Sequence, residues 1–165
     1  MAGFRNSDSP SITPFLWFDD QAEEAARFYV SIFPAGKLIE TRYYGEAAPR
    51  PAGSVMTVTF ELFGQTFIAL NGGSQFQFNP AVSFFVEIET QAEVDHLWDS
   101  LLAGGKPMAC GWLTDKYSLS WQIVPATLGR MLQDKDKTRA NRAMQAMMGM
   151  VKLDIAALER AYNAR

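Results

Sequence analysis

Phe15-Leu16-Trp17-Phe18-Asp19-Asp20-Gln21-Ala22-Glu23 is answered further along the chain by Phe85-Val86-Glu87-Ile88-Glu89-Thr90-Gln91-Ala92-Glu93 at a constant offset of 70 (85 minus 15, 91 minus 21), with Gln-Ala-Glu closing both stretches. A repeat at fixed spacing decides architecture before any local assignment does, because each copy must be one supersecondary unit. Each stretch reads as a strand of aromatic and branched residues running straight into a helix. Asp20 and Thr90 stand where an N-cap belongs, and Glu23 and Glu93 follow three residues later, so the spacing predicts two capping boxes in register.

Working outward, the first helix carries Ala22, Ala25, Phe28, Tyr29, Ile32 and Phe33 on one face and stops before Pro34-Ala35-Gly36. The second carries Val94, Leu97, Trp98, Leu101 and Leu102 and ends at Gly104-Gly105. Both faces need a sheet to cover them. Strand signals follow each helix: 37–44, 54–63 and 66–71 in the first half, with Gly64-Gln65 as the hairpin turn. In the second half they span 106–113 and 117–124, around a turn near Thr114-Asp115-Lys116. Beyond Pro125 the pattern is helical: 127–132, then Ala140, Ala143, Met144, Met147, Met148 and Val151 on one face, then Ile155, Leu158 and Tyr162, with Asp154 as a cap. The predicted fold is α+β: tandem βαβββ modules at 12–73 and 80–125 and a C-terminal helical extension at 126–165, forming a single compact body. The Met-lined helix is expected to pack on its own domain, with a subunit interface or a ligand groove as the alternatives.

Hydrophobic residues make up 48% of the 165-residue chain and charged residues 20%, enough apolar surface to offset chain entropy and exclude intrinsic disorder. The 15 basic and 18 acidic residues give a net charge of −3 with no long stretch of one sign, so no nucleic-acid footprint is present. The stretch 1–11 is polar, has Arg5 as its only basic residue, and lacks the apolar core of an export leader. No apolar run approaches the roughly 18 residues of a spanning helix. A soluble, cytoplasmic protein that meets neither membrane nor nucleic acid is expected. Cys110 is the only cysteine, which rules out a disulfide within the chain and any Cys-paired zinc or iron–sulfur site. It reads as a small buried apolar residue rather than a reactive thiol.

The repeated unit, Leu-Trp-Phe-Asp-Asp-Gln-Ala-Glu-Glu-Ala at the first helix start and Phe28-Tyr29 inside it resemble the vicinal-oxygen-chelate superfamily, which includes glyoxalase and bleomycin-resistance proteins. Within it, Gly53-Ser54-Val55-Met56-Thr57-Val58, Ala69-Leu70-Asn71-Gly72-Gly73, Cys110-Gly111-Trp112-Leu113, Asp115-Lys116-Tyr117 and Ser120-Trp121-Gln122 are similar to PhnB-like, 3-demethylubiquinone-9 3-methyltransferase-like proteins, over nearly the whole chain. The resemblance implies curved mixed sheets around a cleft. It also implies that the positions supplying metal ligands in metal-using relatives fall here on Thr13, Ile68 or Ala69, Ser83 and Gln122. Two hydroxyls, a hydrocarbon and one amide make a poor divalent site, so no metal is expected. The single histidine, His96, is expected to face solvent from the second helix.

Thr13, Phe15 and Trp17 share one parity along the first strand, and Ser83, Phe85 and Glu87 share it in the repeat. If that side lines the cleft, its wall is aromatic with scattered hydroxyls and amides, extended by Trp112, Trp121 and Gln122; as single residues these aromatics read rather as core, and taken together they favour a pocket. Asn71 and Lys116 join the candidate ligand-binding set. Glu87 is the one candidate catalytic carboxylate, provided burial beside aromatics raises its pKa; a solvated strand end is the plain alternative. Asn71-Gly72-Gly73 does not lead into a helix, and no dinucleotide fingerprint or glycine-rich strand-to-helix turn exists, so no cofactor is expected and S-adenosylmethionine least of all. These readings predict a small-molecule-binding protein, expected as a homodimer, with a metal-assisted lyase, isomerase or dioxygenase, or a dimeric regulatory protein, as the alternatives.

Overall fold

Alternating apolar residues build two four-stranded sheets in the computed structural model, which describes residues 11–164. All of the segment read for an export leader except Ser11 lies outside the described residues. The first sheet comes from β1 (Phe15–Phe18), β2 (Lys37–Tyr43), β3 (Val55–Leu62) and β4 (Gln65–Asn71), with α1 (Ala22–Ile32) between β1 and β2. The second comes from β5 (Phe84–Ile88), β6 (Lys106–Pro107), β7 (Trp112–Thr114) and β8 (Ser120–Pro125), with α2 (Gln91–Leu102) after β5. Their orders, β1-β4-β3-β2 and β5-β8-β7-β6, are the same permutation, and in each the first strand runs parallel to the last while the other pairs are antiparallel. Three helices follow: α3 (Ala126–Leu132), α4 (Lys137–Met148) and α5 (Ile155–Asn163). The α+β tandem reading with a helical extension therefore holds. The residues group into two compact units, Met1–Phe76 and Gln77–Arg165, and the extension belongs to the second.

In the first unit Leu16, Phe18, Val58, Phe60, Leu62, Phe67 and Ala69 are buried on the face that meets α1. Ala22, Ala25 and Ala26 let that helix approach closely, and Tyr29 stacks on Phe60, which stacks in turn on Phe67, at ring separations of 6.0 and 5.3 Å. Each large side chain buried this way contributes about 1.5–3 kcal/mol. In the second unit Val86, Ile88, Leu113, Trp121 and Ile123 are buried, as are Val94, Leu97, Trp98 and Leu101 of α2.

The two helix starts differ from the predicted symmetry. Thr90 and Glu93 form the full capping box, with Glu93 N–H donating to Thr90 Oγ1 at 3.3 Å and Thr90 N–H to Glu93 Oε2 at 2.8 Å. Asp20 does not cap: the N-cap is Gln21, which makes no side-chain cap bond, and Glu23 pairs with Arg27 at 2.7 Å. The N–H of Ala22 instead donates to Asn71 Oδ1 at 2.7 Å, from 49 residues away. The sheet register supplies the reason. Asn71 ends β4 beside Phe18, so its side chain reaches the helix start; the corresponding partner of Ile88 is Pro125, whose ring has no acceptor, and there a local cap is required.

Three other boundaries shift. The β3–β4 turn is Phe63-Gly64 rather than Gly64-Gln65, both with positive φ (46° and 79°), as a two-residue turn of type I′ requires. The strand expected over 106–113 is broken after Pro107. Cys110 and Gly111 take positive φ, and their N–H groups donate to Met150 and Val151 carbonyls, so the tail claims bonds that a ladder would have used. A side chain at Gly111 would collide with Ile123 O and Leu153, both 2.9 Å from the position of a Cβ, which fixes glycine there. The tail then packs Leu128, Met131, Ala143, Leu153 and Leu158 around Val124 of β8. Asp136 caps α4, and Asp154 caps α5 as predicted. Of the methionine face, Ala140 and Ala143 are buried and Met147 packs on the cluster, whereas Met144, Met148 and Val151 are exposed. Cys110 is half-buried, its Sγ 3.8 Å from Met148 Sδ.

Candidate functional site

A strand whose alternate residues bury against a helix presents the others on its opposite face. In the first unit that face carries Phe15 and Trp17 of β1, beside Ile68 and Leu70 of β4, which are their register partners. Phe15 is 50% exposed. Ile68, not Ala69, is the residue on this face; Ala69 pairs with Leu16 on the α1 side, and Thr13 precedes the strand next to Pro14, whose carbonyl accepts from Ile68 N–H. Trp17 is held in place: its Nε1–H donates to Gly73 O at 2.8 Å and its ring meets Phe76 edge-on at 5.0 Å. Gly72 lies under the indole, where a Cβ would come within 2.3 Å of the ring. The Asn71-Gly72-Gly73 segment is thus a seat for Trp17. Asn71 has its side chain engaged within the fold. It is buried, its Oδ1 is taken by Ala22 N–H, its Nδ2 donates to Val55 O at 3.1 Å, and its carbonyl accepts the Tyr44 hydroxyl.

In the second unit the face turned from α2 is ordered in rows. Phe85, Gln122 and Trp112 stand side by side on β5, β8 and β7, since Gln122 is the register partner of both aromatics. The neighbouring row toward the start of β5 holds Ser83, Ser120 and Thr114, with Thr114 the partner of Ser120. On the other side Glu87 pairs with Val124. Gln122 Nε2 donates to Ser83 Oγ at 2.8 Å, so two of the candidate residues are joined directly. Phe85 is 56% exposed and Trp112 half-buried.

Trp121 does not belong to this surface. Alternation turns it to the α2 side, where it is 2% exposed, tilts against Phe84 at 5.4 Å and donates Nε1–H to Asp115 Oδ2 at 2.9 Å. Asp115, a residue the sequence reading assigned only to a turn, is the organiser of that corner: its other oxygen accepts from Tyr117 and Leu119 N–H at 2.8 and 3.0 Å. Asp before a turn and Trp six residues on is the signal that could have found it. Lys116 is an exposed turn residue, its Nζ 4.9 Å from the centre of the Tyr117 ring. Glu87 is exposed, so the burial that would make it a catalytic acid is missing; a Cβ added at Gly129 of α3 would lie 3.9 Å from its Oε2. His96 is exposed on α2.

The donor set does not fit a divalent cation. Among the described residues no three His, Cys, Asp or Glu side chains gather to hold a metal. Ile68 offers hydrocarbon, and Ser83 and Gln122 are neutral groups joined by a hydrogen bond. The strand-to-helix turns read Asp19-Asp20-Gln21 and Glu89-Thr90, without the glycine that lets backbone approach a nucleotide-type cofactor. No helix among the described residues is long and apolar enough to cross a membrane.

Comparison with known proteins agrees with the fold. The family model described as 3-demethylubiquinone-9 3-methyltransferase matches residues 10–124. A solved PhnB protein of Bacillus cereus, carrying that same methyltransferase description, is 35% identical, with 70% of this chain and 99% of that one covered at a TM-score of 0.65. A Pseudomonas aeruginosa protein (20% identity, 71% and 98% covered, TM-score 0.59) and the fosfomycin resistance protein FosX of Listeria monocytogenes (17%, 78% and 100%, 0.55) share the fold. No curated protein matches the chain. With two βαβββ units in the same strand order and a family match over residues 10–124, the chain belongs to the 3-demethylubiquinone-9 3-methyltransferase-like, PhnB-like family.

Proposed function

We propose that this protein binds a small aromatic or amphipathic molecule on the sheet faces turned from α1 and α2, without a metal ion. The observation that carries this reading is the Phe85-Gln122-Trp112 row, in which a polar amide stands between two aromatic side chains on a rigid sheet and one of the two is more than half exposed. Apolar walls with a few fixed polar groups are the usual make-up of a small-molecule site. Phe15 and Trp17 repeat the aromatic character in the first unit, and Trp17 is braced by Gly72, Gly73 and Phe76. A charged or metal-bound substrate would find no matching partner among Ser83, Gln122 and Ile68. The methyltransferase description of the family gains no support from these residues.

A thermal-shift screen of small molecules tests the reading, since a ligand that binds only the native state raises its stability by RT ln(1 + [L]/Kd), about 2.7 kcal/mol at a hundredfold excess over Kd. Hits are expected, and Phe85→Ala and Trp112→Ala should each lower their effect. A screen without hits, or hits that both variants leave unchanged, would refute the site. Elemental analysis of protein purified without chelator is expected to find no stoichiometric transition metal; a stoichiometric metal lost in Gln122→Ala would favour the metal-dependent alternative. The reading includes a homodimer in a reducing, cytoplasmic setting, supported by the exposed apolar residues Met144, Met148 and Val151 and by the single cysteine. Sedimentation of the native chain checks the dimer.

A further inference from the structure

We infer that the second sheet takes a neutral, planar ring with a lactam- or carboxamide-type edge, inserted between Phe85 and Trp112 with that edge on the Ser83–Gln122 pair. This rests on the small-molecule reading above and narrows it to a ligand class.

Three features of the row give the chemistry. The first is the hydrogen-bond code of the pair. Gln122 spends one N–H on Ser83 Oγ, which leaves the Ser83 hydroxyl proton and the second Gln122 N–H as donors and Gln122 Oε1 as an acceptor. Among the described residues nothing else bonds to either side chain. An edge carrying C=O next to N–H is complementary to the Ser83 O–H and Gln122 Oε1 standing side by side.

The second feature is spacing. Neighbouring strands lie about 4.8 Å apart, so β5 and β7, on either side of β8, stand about 9.6 Å apart. A flat ring in contact with an aromatic on each face needs about 7–8 Å between them. One ring fits above Gln122, with Phe85 and Trp112 leaning toward it, and a second layer does not.

Charge is the third. The rows beside the pair hold Ser120 and Thr114 on one side and Glu87 with Val124 on the other, and no basic side chain. The Glu87 carboxylate disfavours an anionic ring. Ser120 Oγ, fully buried and without a hydrogen-bond partner among the described residues, adds a further hydroxyl to the polar row. A neutral ligand with hydrogen-bonding capacity on one edge satisfies all three.

Ligand-observed NMR titration of the full-length protein with 2-quinolone and N-methyl-2-quinolone tests this. The two probes share a ring system and differ in the lactam N–H. The methylated probe should bind about tenfold more weakly, equivalent to about 1.4 kcal/mol. Phe85→Ala and Trp112→Ala should weaken both probes by a similar factor. Gln122→Leu should erase the difference between them, and Ser83→Ala, which removes only the hydroxyl that donates to the carbonyl both probes keep, should weaken both by a similar factor, a readout that remains should the leucine variant fail to fold by circular dichroism. Equal affinities in the native protein, or affinities for both probes that Ser83→Ala leaves unchanged, overturn the inference. If neither quinolone binds, the ligand class is wrong; the wider reading then stands only if aromatic compounds without a lactam, titrated in parallel, still bind and lose affinity in Phe85→Ala.

Discussion

Asn71, one of the candidate ligand-binding residues, gains a structural role once its register is known. In the sequence its amide stands before two glycines at the end of a strand. In the structure the same amide is buried and joins the start of α1 to the start of β3, through Ala22 N–H and Val55 O. Asn71→Ala should therefore destabilise the protein by about 2–3 kcal/mol, because a buried N–H and a part-buried carbonyl both lose their partner. Urea unfolding monitored by circular dichroism measures it. A loss under about 0.5 kcal/mol, the level of ordinary surface substitutions, would show that the amide is dispensable. Parity along β1 and β5 was legible from the sequence, because a period of two needs no tertiary information: Phe15 and Trp17 share the face turned from α1, and Phe85 and Glu87 the face turned from α2. Trp121 and Asn71 were not legible, since their roles depend on partners that only the strand register brings near, Asp115 for one and Ala22 for the other.

At the scale of elements, the two helix starts make a matched comparison inside one chain. Thr90→Ala should cost about 1 kcal/mol, a typical value for a lost cap, while Asp20→Ala should cost almost nothing because Asp20 caps no helix. The pH dependence separates them further. The Thr90 hydroxyl, followed by the Thr90 backbone N–H, holds the Glu93 carboxyl below its ordinary value of 4.5. A carboxylate whose pKa is lowered on folding adds stability that is present above the unfolded value and is lost as the pH falls through the lowered one. The gap between native protein and Thr90→Ala should therefore narrow on acidification below about pH 4.5. Thermal unfolding over a pH series reads this, and a gap constant down to pH 3 would contradict the box. Helix and strand identity followed from periodicity alone, whereas the break in the 106–113 segment did not, because its cause is hydrogen bonding to Met150 and Val151.

For the molecule as a whole, the tail is part of the second unit's core. Leu153 is fully buried with Val124, Leu128, Met131, Ala143 and Leu158. Lys152 beside it reaches Asp95 and Asp99 of α2 at 2.7 and 3.1 Å, and Gln91 bonds both Leu153 O and Ile155 N–H. Leu153→Ala should cost about 2–5 kcal/mol in denaturant unfolding. A cost below about 1 kcal/mol would mean that the tail is only loosely docked. The tandem architecture was readable from the repeat, and the tail's contacts were not, since nothing in the first half of the chain corresponds to it. The cap that Asn71 places on Ala22 also has a meaning for biosynthesis. A nascent chain leaves the ribosome from its amino end, so α1 emerges 49 residues ahead of the amide that completes its first turn. Until β4 has been made and docked, that turn is left open, and the first unit should acquire protection against proteases in a single late step of translation.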